Sequence, residues 1–148
     1  MPESPSSWPA YARVPPFLTV PLRARADGWT PERQARFIGL LAETGSVAEA
    51  ARRVGMTRES AWRLRRRACA ESFAHAWDAV EALRRGAPVP QRKITLDELP
   101  DHAFEGPYVV HMRRRRFVRA QREPSVSALL RHLGRLDAAA LRGGWDRW

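Results

Sequence analysis

The chain has 148 residues, 44% of them hydrophobic, the length of one domain with enough apolar side chain for a modest core. It carries 26 Lys and Arg against 16 Asp and Glu, a formal charge of +10, and every basic residue except Lys93 is arginine. A lone cysteine, Cys69, excludes an internal disulfide framework and a Cys-rich zinc site, and no apolar run approaches the roughly 20 residues of a membrane-spanning helix.

Residues 1–28 are proline-rich, with Phe17, Leu18, Val20 and Leu22 as their apolar cluster, and read as a disordered or extended arm whose end docks on the core. Residues 29–85 read as the folded centre, because prolines cease after Pro31 and apolar residues recur at helical spacing. A first helix starts at Thr30, an N-cap followed by Pro31, where the missing N–H costs nothing, and by Glu32, which complements the helix dipole. Phe37, Ile38, Leu40 and Leu41 form its buried face, and Gly45 ends it.

Ser46-Val47-Ala48-Glu49 is a capping-box pattern, so a second helix begins there, with the glutamate reaching back to the cap. Gly55 cuts it short, and its inward residues Val47, Ala50, Ala51 and Val54 are small enough for another helix to cross closely. Thr57 then caps a third helix over Arg58–Arg67. Two helices joined by a short glycine-containing turn are the signature of a helix-turn-helix, in which the second member of the pair enters the major groove of DNA.

With Ala61 and Leu64 turned inward, the opposite face of that helix carries Arg58, Glu59, Trp62, Arg63 and Arg66. Arginine suits guanine edges and phosphates, Glu59 can accept from cytosine, and Ser60 suits either a base or a phosphate; Thr57 and Arg67 flank the set. Trp62 either meets the ligand or packs against the next helix. An arginine-rich outer face is also what a merely solvated helix presents, and it is the two capped neighbours, the glycine turn and the excess charge that favour DNA.

Phe73, Ala76, Trp77, Val80 and Leu83 place a fourth helix over about Glu71–Arg85, with Trp77 in the core. Residues 86–107 read as a proline-rich linker with one short helical turn near Leu96–Leu99. Residues 108–148 read as a basic extended segment plus an amphipathic helix. Tyr108–Met112 and Arg116–Arg119 have strand composition, although the arginines between them are poor turn formers. Arg113, Arg114, Arg115, Arg116 and Arg119, together with Ser46, are candidate phosphate contacts, and as an extended element the arginines suit a minor groove equally. Ser125 caps a last helix whose Leu129, Leu130, Leu133 and Leu136 form a stripe that packs on the core or joins a second copy, and Gly143-Gly144 stops it.

The run Ala26-Asp27-Gly28-Trp29-Thr30-Pro31-Glu32-Arg33-Gln34, continuing through Gly45-Ser46-Val47 and Ala50-Ala51 to Arg65-Arg66-Arg67, resembles uncharacterised helix-turn-helix proteins of alphaproteobacteria. More distantly it is similar to the DNA-recognition domain of phage terminase small subunits. The resemblance covers about residues 26–85 and implies a homeodomain-like three-helix fold with duplex DNA as ligand. Where a terminase small subunit has a long oligomerisation helix, this chain offers only the stripe after Ser125.

The expectation is therefore a mainly α protein: a homeodomain-like bundle of three to four helices, an irregular or short-strand segment and a C-terminal helix. Transcriptional regulation is the expected role, with terminase-like DNA packaging as the alternative. The acidic residues show no metal-binding arrangement, the histidines at 75, 102, 111 and 132 have no ligand spacing, and no Ser, Cys or His falls in a nucleophile motif, so neither enzyme nor cofactor nor metal is expected. The expected location is the cytoplasm, on the nucleoid. The expected partners are double-stranded DNA and a second copy through the C-terminal helix, without a membrane.

Overall fold

The computed structural model describes residues 13–23 and 25–144. The chain is mainly helical, with one small two-stranded antiparallel hairpin among the described residues. Of the arm expected over 1–28, residues 1–12 lie outside the described residues. Two compact units divide the rest: one holds residues 13–92 and 108–121, the other 93–107 and 122–144.

In the first unit, α1 (Pro31–Thr44), α2 (Val47–Arg53), α3 (Arg58–Arg65) and α4 (Glu71–Arg85) follow one another through short turns. Local chemistry sets their ends. The side chains of Thr30, Ser46 and Thr57 accept the N–H groups of Arg33, Glu49 and Ser60. Gly45 closes α1 in the left-handed region (φ 69°), and Gly55 turns the chain after α2 (φ 77°). The expected capping box on α2 is half formed, because Glu49 turns instead to Arg52 and Arg53. The third helix ends at Arg65, two residues short of the expected boundary, with Arg66 as its C-cap.

Phe37, Ile38 and Leu41 of α1, Ala50, Ala51 and Val54 of α2, Ala61 and Leu64 of α3, and Phe73, Trp77 and Val80 of α4 share one core. Its centre is aromatic: Phe37 lies 5.0 Å from Trp77 and 6.2 Å from Phe73, centre to centre. The docking of the arm is deeper than its composition suggested. Val14, Phe17 and Val20 are all buried in this core, and Phe17 pairs antiparallel with Tyr108. The folded centre thus takes in Val14, Phe17 and Val20, which precede the boundary expected at 29.

The hairpin, β1 (Tyr108–Arg113) and β2 (Arg116–Arg122), also packs in the first unit, with Tyr108 and Val110 in the core. Tyr108 reaches Glu32 in the first turn of α1 (3.5 Å), and the Phe117 N–H donates to Glu43 in its last turn (3.2 Å). The hairpin therefore runs along α1, with its tip at the C-terminal end of that helix.

The second unit contains a 3-10 turn (Leu96–Glu98), α5 (Leu99–Ala103) and α6 (Val126–Gly144). The segment expected as a linker is thus partly structured and belongs with the last helix. Leu99, Ala103 and Ala128 form its small core, with Ile94 and Leu129 against it. The Ser125 hydroxyl accepts from Ala128 N–H, and Ser125 N–H donates to the His102 carbonyl (2.8 Å). Gly106 has φ 86°, and a Cβ there would fall 2.4 Å from the Glu123 backbone, so both conformation and space require glycine. Leu130, Leu133, Leu136 and Leu141 of α6 stay exposed.

Candidate nucleic-acid interface

The turn from α2 to α3 is made by backbone groups. Gly55 N–H donates to the Arg52 carbonyl and Met56 N–H to the Ala51 carbonyl (2.9 Å), while a Cβ on Gly55 would meet nothing within 4 Å. The glycine is there for its positive φ and not for room. Half-buried Met56 packs on the core and pins the turn.

Three anchors then hold α3. Its inner residues Ala61 and Leu64 are buried. At its N-terminal end the Ser60 hydroxyl donates to the Thr57 carbonyl (2.8 Å) and accepts the Trp29 indole N–H (3.2 Å). At its C-terminal end the Arg65 guanidinium bonds Asp78 (2.7 Å) and lies 5.2 Å from the centre of the Trp77 ring.

These anchors sort the candidates. Arg58, Glu59, Arg63, Arg66 and Arg67 are exposed, and Thr57 caps the helix from an exposed position. None of those four arginines has an acidic partner among the described residues. Of the two places open to Trp62, it takes the one against the next helix: it is half-buried, 4.8 Å from Trp77 centre to centre, and serves to seat α3 on α4. Ser60, half-buried and bonded on both sides, positions the helix. Arg66 and Arg67 stand on the turn that leaves α3, where their N–H groups bond the Arg63 and Leu64 carbonyls.

The other candidates form a second group. The Ser46 hydroxyl is engaged in capping α2. Arg113, Arg114, Arg115, Arg116 and Arg119 are exposed on the hairpin, whereas Arg122 pairs with Glu105. The loop between the strands is Arg114-Arg115 alone, and both residues have positive φ, 51° and 65°. That sign pattern belongs to the type I′ turn, which favours Asn-Gly. The arginines expected to be poor turn formers nevertheless make the turn.

The acidic residues explain why some arginines are occupied. Glu43 accepts from Arg53 (2.8 Å) and from the Phe117 N–H, joining α1, α2 and the hairpin. Glu49 accepts from Arg52 and Arg53, and those bonds, Arg52's first, hold its carboxyl below the usual glutamate range; the same contact raises Arg52. Arg65, Glu43 and Gln34 have structural roles that the sequence does not assign to them. Gln34 left a signal, a polar residue on the stripe of Phe37, Ile38 and Leu41, but Arg65 and Glu43 act through partners on other elements.

Among the described residues no group of three His, Cys, Asp or Glu is placed to hold a metal, and no helix is long and apolar enough to cross a membrane. Comparison with known families, with curated proteins and with solved structures found no match to this chain.

Proposed function

We propose that this chain is a duplex-DNA-binding protein of helix-turn-helix type, with a homeodomain-like arrangement of α1, α2 and α3, that lays α3 in the major groove. One observation carries the reading. A short helix anchored by its inner face and at both ends presents Arg58 and Arg63 outward, with Arg66 at its C-cap, all three exposed and without acidic partners among the described residues. Guanidinium forks held on a rigid rod meet the geometric demand of guanine edges and phosphates, and a major groove about 12 Å wide admits one helix. The role is transcriptional regulation in the cytoplasm, on the nucleoid, with no catalytic step, cofactor or membrane.

A second reading, DNA packaging in the manner of a terminase small subunit, is favoured by the exposed leucines of α6. Leu130, Leu133 and Leu136 are 65%, 46% and 53% exposed, a face suited to self-association. A dimer through α6 suits a regulator, whereas packaging requires a ring of many subunits.

Selection of bound sequences from random duplex DNA, followed by gel-shift titration, tests the reading. Arg58→Ala and Arg63→Ala should each weaken binding to the selected site by about 1–3 kcal/mol where the residue contacts a base. Failure to enrich any sequence, with both variants silent, would remove α3 as the reading element. Light scattering of the full chain separates a dimer from a ring.

A further inference from the structure

We infer that the β1–β2 hairpin is a second contact for duplex DNA, with its tip arginines gripping the phosphodiester backbone that borders a minor groove. This rests on the reading of the chain as a duplex-DNA-binding protein and adds to α3 a separate surface.

Charge is the first argument. From Gly106 to Gln121 the chain contains no Asp or Glu, while Arg113, Arg114, Arg115, Arg116 and Arg119 fall within it. All five are exposed, and Arg113, Arg114, Arg116 and Arg119 have no acidic partner among the described residues. The contrast with Arg52, Arg53 and Arg65, each paired with a carboxylate, separates arginines that serve the fold from those that do not.

Rigidity is the second. A solvated basic tail is free to move, but this hairpin is fixed to α1: Phe117 lies against Gly39, its N–H is held by Glu43, and Met112 and Phe117 pack on the main core. The tip therefore reaches a ligand with its backbone already ordered, which lowers the entropic cost of binding.

Turn chemistry is the third. Two residues at positive φ form the apex, a conformation in which glycine and asparagine are most comfortable and arginine is disfavoured. Stability alone would place Asn-Gly there. Arginine at both positions brings two guanidiniums to the most protruding point of the hairpin at the expense of backbone comfort, as expected where binding and not folding decides the residue. A polyphosphate backbone suits consecutive arginines better than a protein partner, since neighbouring phosphates supply one charge after another along each strand.

The test uses the full chain and a duplex selected on it, titrated between 50 and 200 mM salt by fluorescence anisotropy. The variant R114N/R115G installs the pair that this turn prefers, so its melting temperature should equal or exceed that of the unaltered chain. Its affinity should nonetheless fall about tenfold, and its salt slope should lessen by about 1–2, one phosphate contact each. Arg113→Gln combined with Arg116→Gln, which leaves the turn untouched, should act in the same direction. An equal loss with A-tract and G·C flanks places the guanidiniums on phosphates and supports the inference, whereas a larger loss with A-tract flanks places them inside the groove and overturns the backbone grip.

Unaltered affinity and salt slope in both hairpin variants, while Arg63→Ala weakens binding, would overturn this inference and leave α3 as the reading helix. Loss in the hairpin variants with Arg58→Ala and Arg63→Ala silent would sustain the hairpin contact and remove α3. Absence of duplex binding by the unaltered chain overturns both. Binding of a polyglutamate peptide that the hairpin variants abolish, with duplex binding unchanged, would assign the arginines to an acidic protein and overturn the inference.

Discussion

Gln34 and Val20 are joined through both main-chain groups of Val20: the Gln34 side-chain carbonyl accepts Val20 N–H (2.7 Å), and its amide donates to the Val20 carbonyl (3.1 Å). The same amide donates to the Trp29 carbonyl (3.1 Å), and Gln34 itself is fully buried. A single side chain on α1 thus does for the N-terminal segment what a neighbouring strand would do.

Gln34→Leu should therefore destabilise the first unit although it makes the helix face more apolar. Three main-chain groups would lose their partner, and the expected cost is about 3 kcal/mol. Thermal and urea unfolding should show it as a lower midpoint. An unchanged midpoint would mean that water replaces the side chain.

Gly39 and Phe117 define the seat of the hairpin. A Cβ at position 39 would lie 2.2 Å from Cδ2 of the Phe117 ring, so the ring occupies the space that any other residue would need. Gly39→Ala gains about 1 kcal/mol in helix propensity and loses about 1–3 kcal/mol to overpacking. The net effect should be a loss of stability together with faster amide exchange at Phe117. Pairing it with Phe117→Ala should relieve the clash, so the double variant should lose less than the sum of the singles.

Arg63 and Arg65 stand two residues apart and should respond oppositely. Arg65 is bonded to Asp78 and lies over Trp77, so Arg65→Ala should lower stability by about 1 kcal/mol, the ion pair being partly exposed. Arg63 is exposed and has no acidic partner among the described residues, so Arg63→Ala should leave the melting curve in place and, under the proposed function, act on duplex affinity alone. Equal stability losses in the two variants would contradict this division.

Glu49 should titrate below an ordinary glutamate, because Arg52 and then Arg53 stabilise its charged form. A carboxylate with a depressed folded pKa contributes stability that is present above its unfolded pKa and is lost as pH falls through the folded value. Carboxyl chemical shifts followed in acid should show the low value. Glu49→Gln should flatten the acid limb of stability, in that window only.

The helices were legible in the chain because their ends are set by neighbours in sequence. Thr30-Pro31, Ser46 and Thr57 as caps, and Gly45 and Gly55 as turns, each act within four residues, so α1 and α2 and the start of α3 lie where local chemistry puts them, while α4, which has no side-chain cap, follows the apolar spacing of Phe73, Trp77 and Val80. The hairpin strands were legible in composition, but not their turn, because Arg114-Arg115 adopts a conformation its residue types disfavour.

The amino-acid sequence by itself determined the helical class, the capped pair with a glycine turn, the buried Ala61 and Leu64 and the outward arginines of α3, since each follows from local hydrogen bonding or helical period. The tertiary structure decided which distant segments complete that frame. It buried Phe17 against Tyr108, turned Trp62 onto Trp77, tied Arg65 to Asp78, laid Phe117 in the notch at Gly39 and gathered residues 93–107 with α6 in a unit of their own. Such contacts depend on where side chains from remote parts of the chain meet in space, and no pattern within a few residues encodes that meeting.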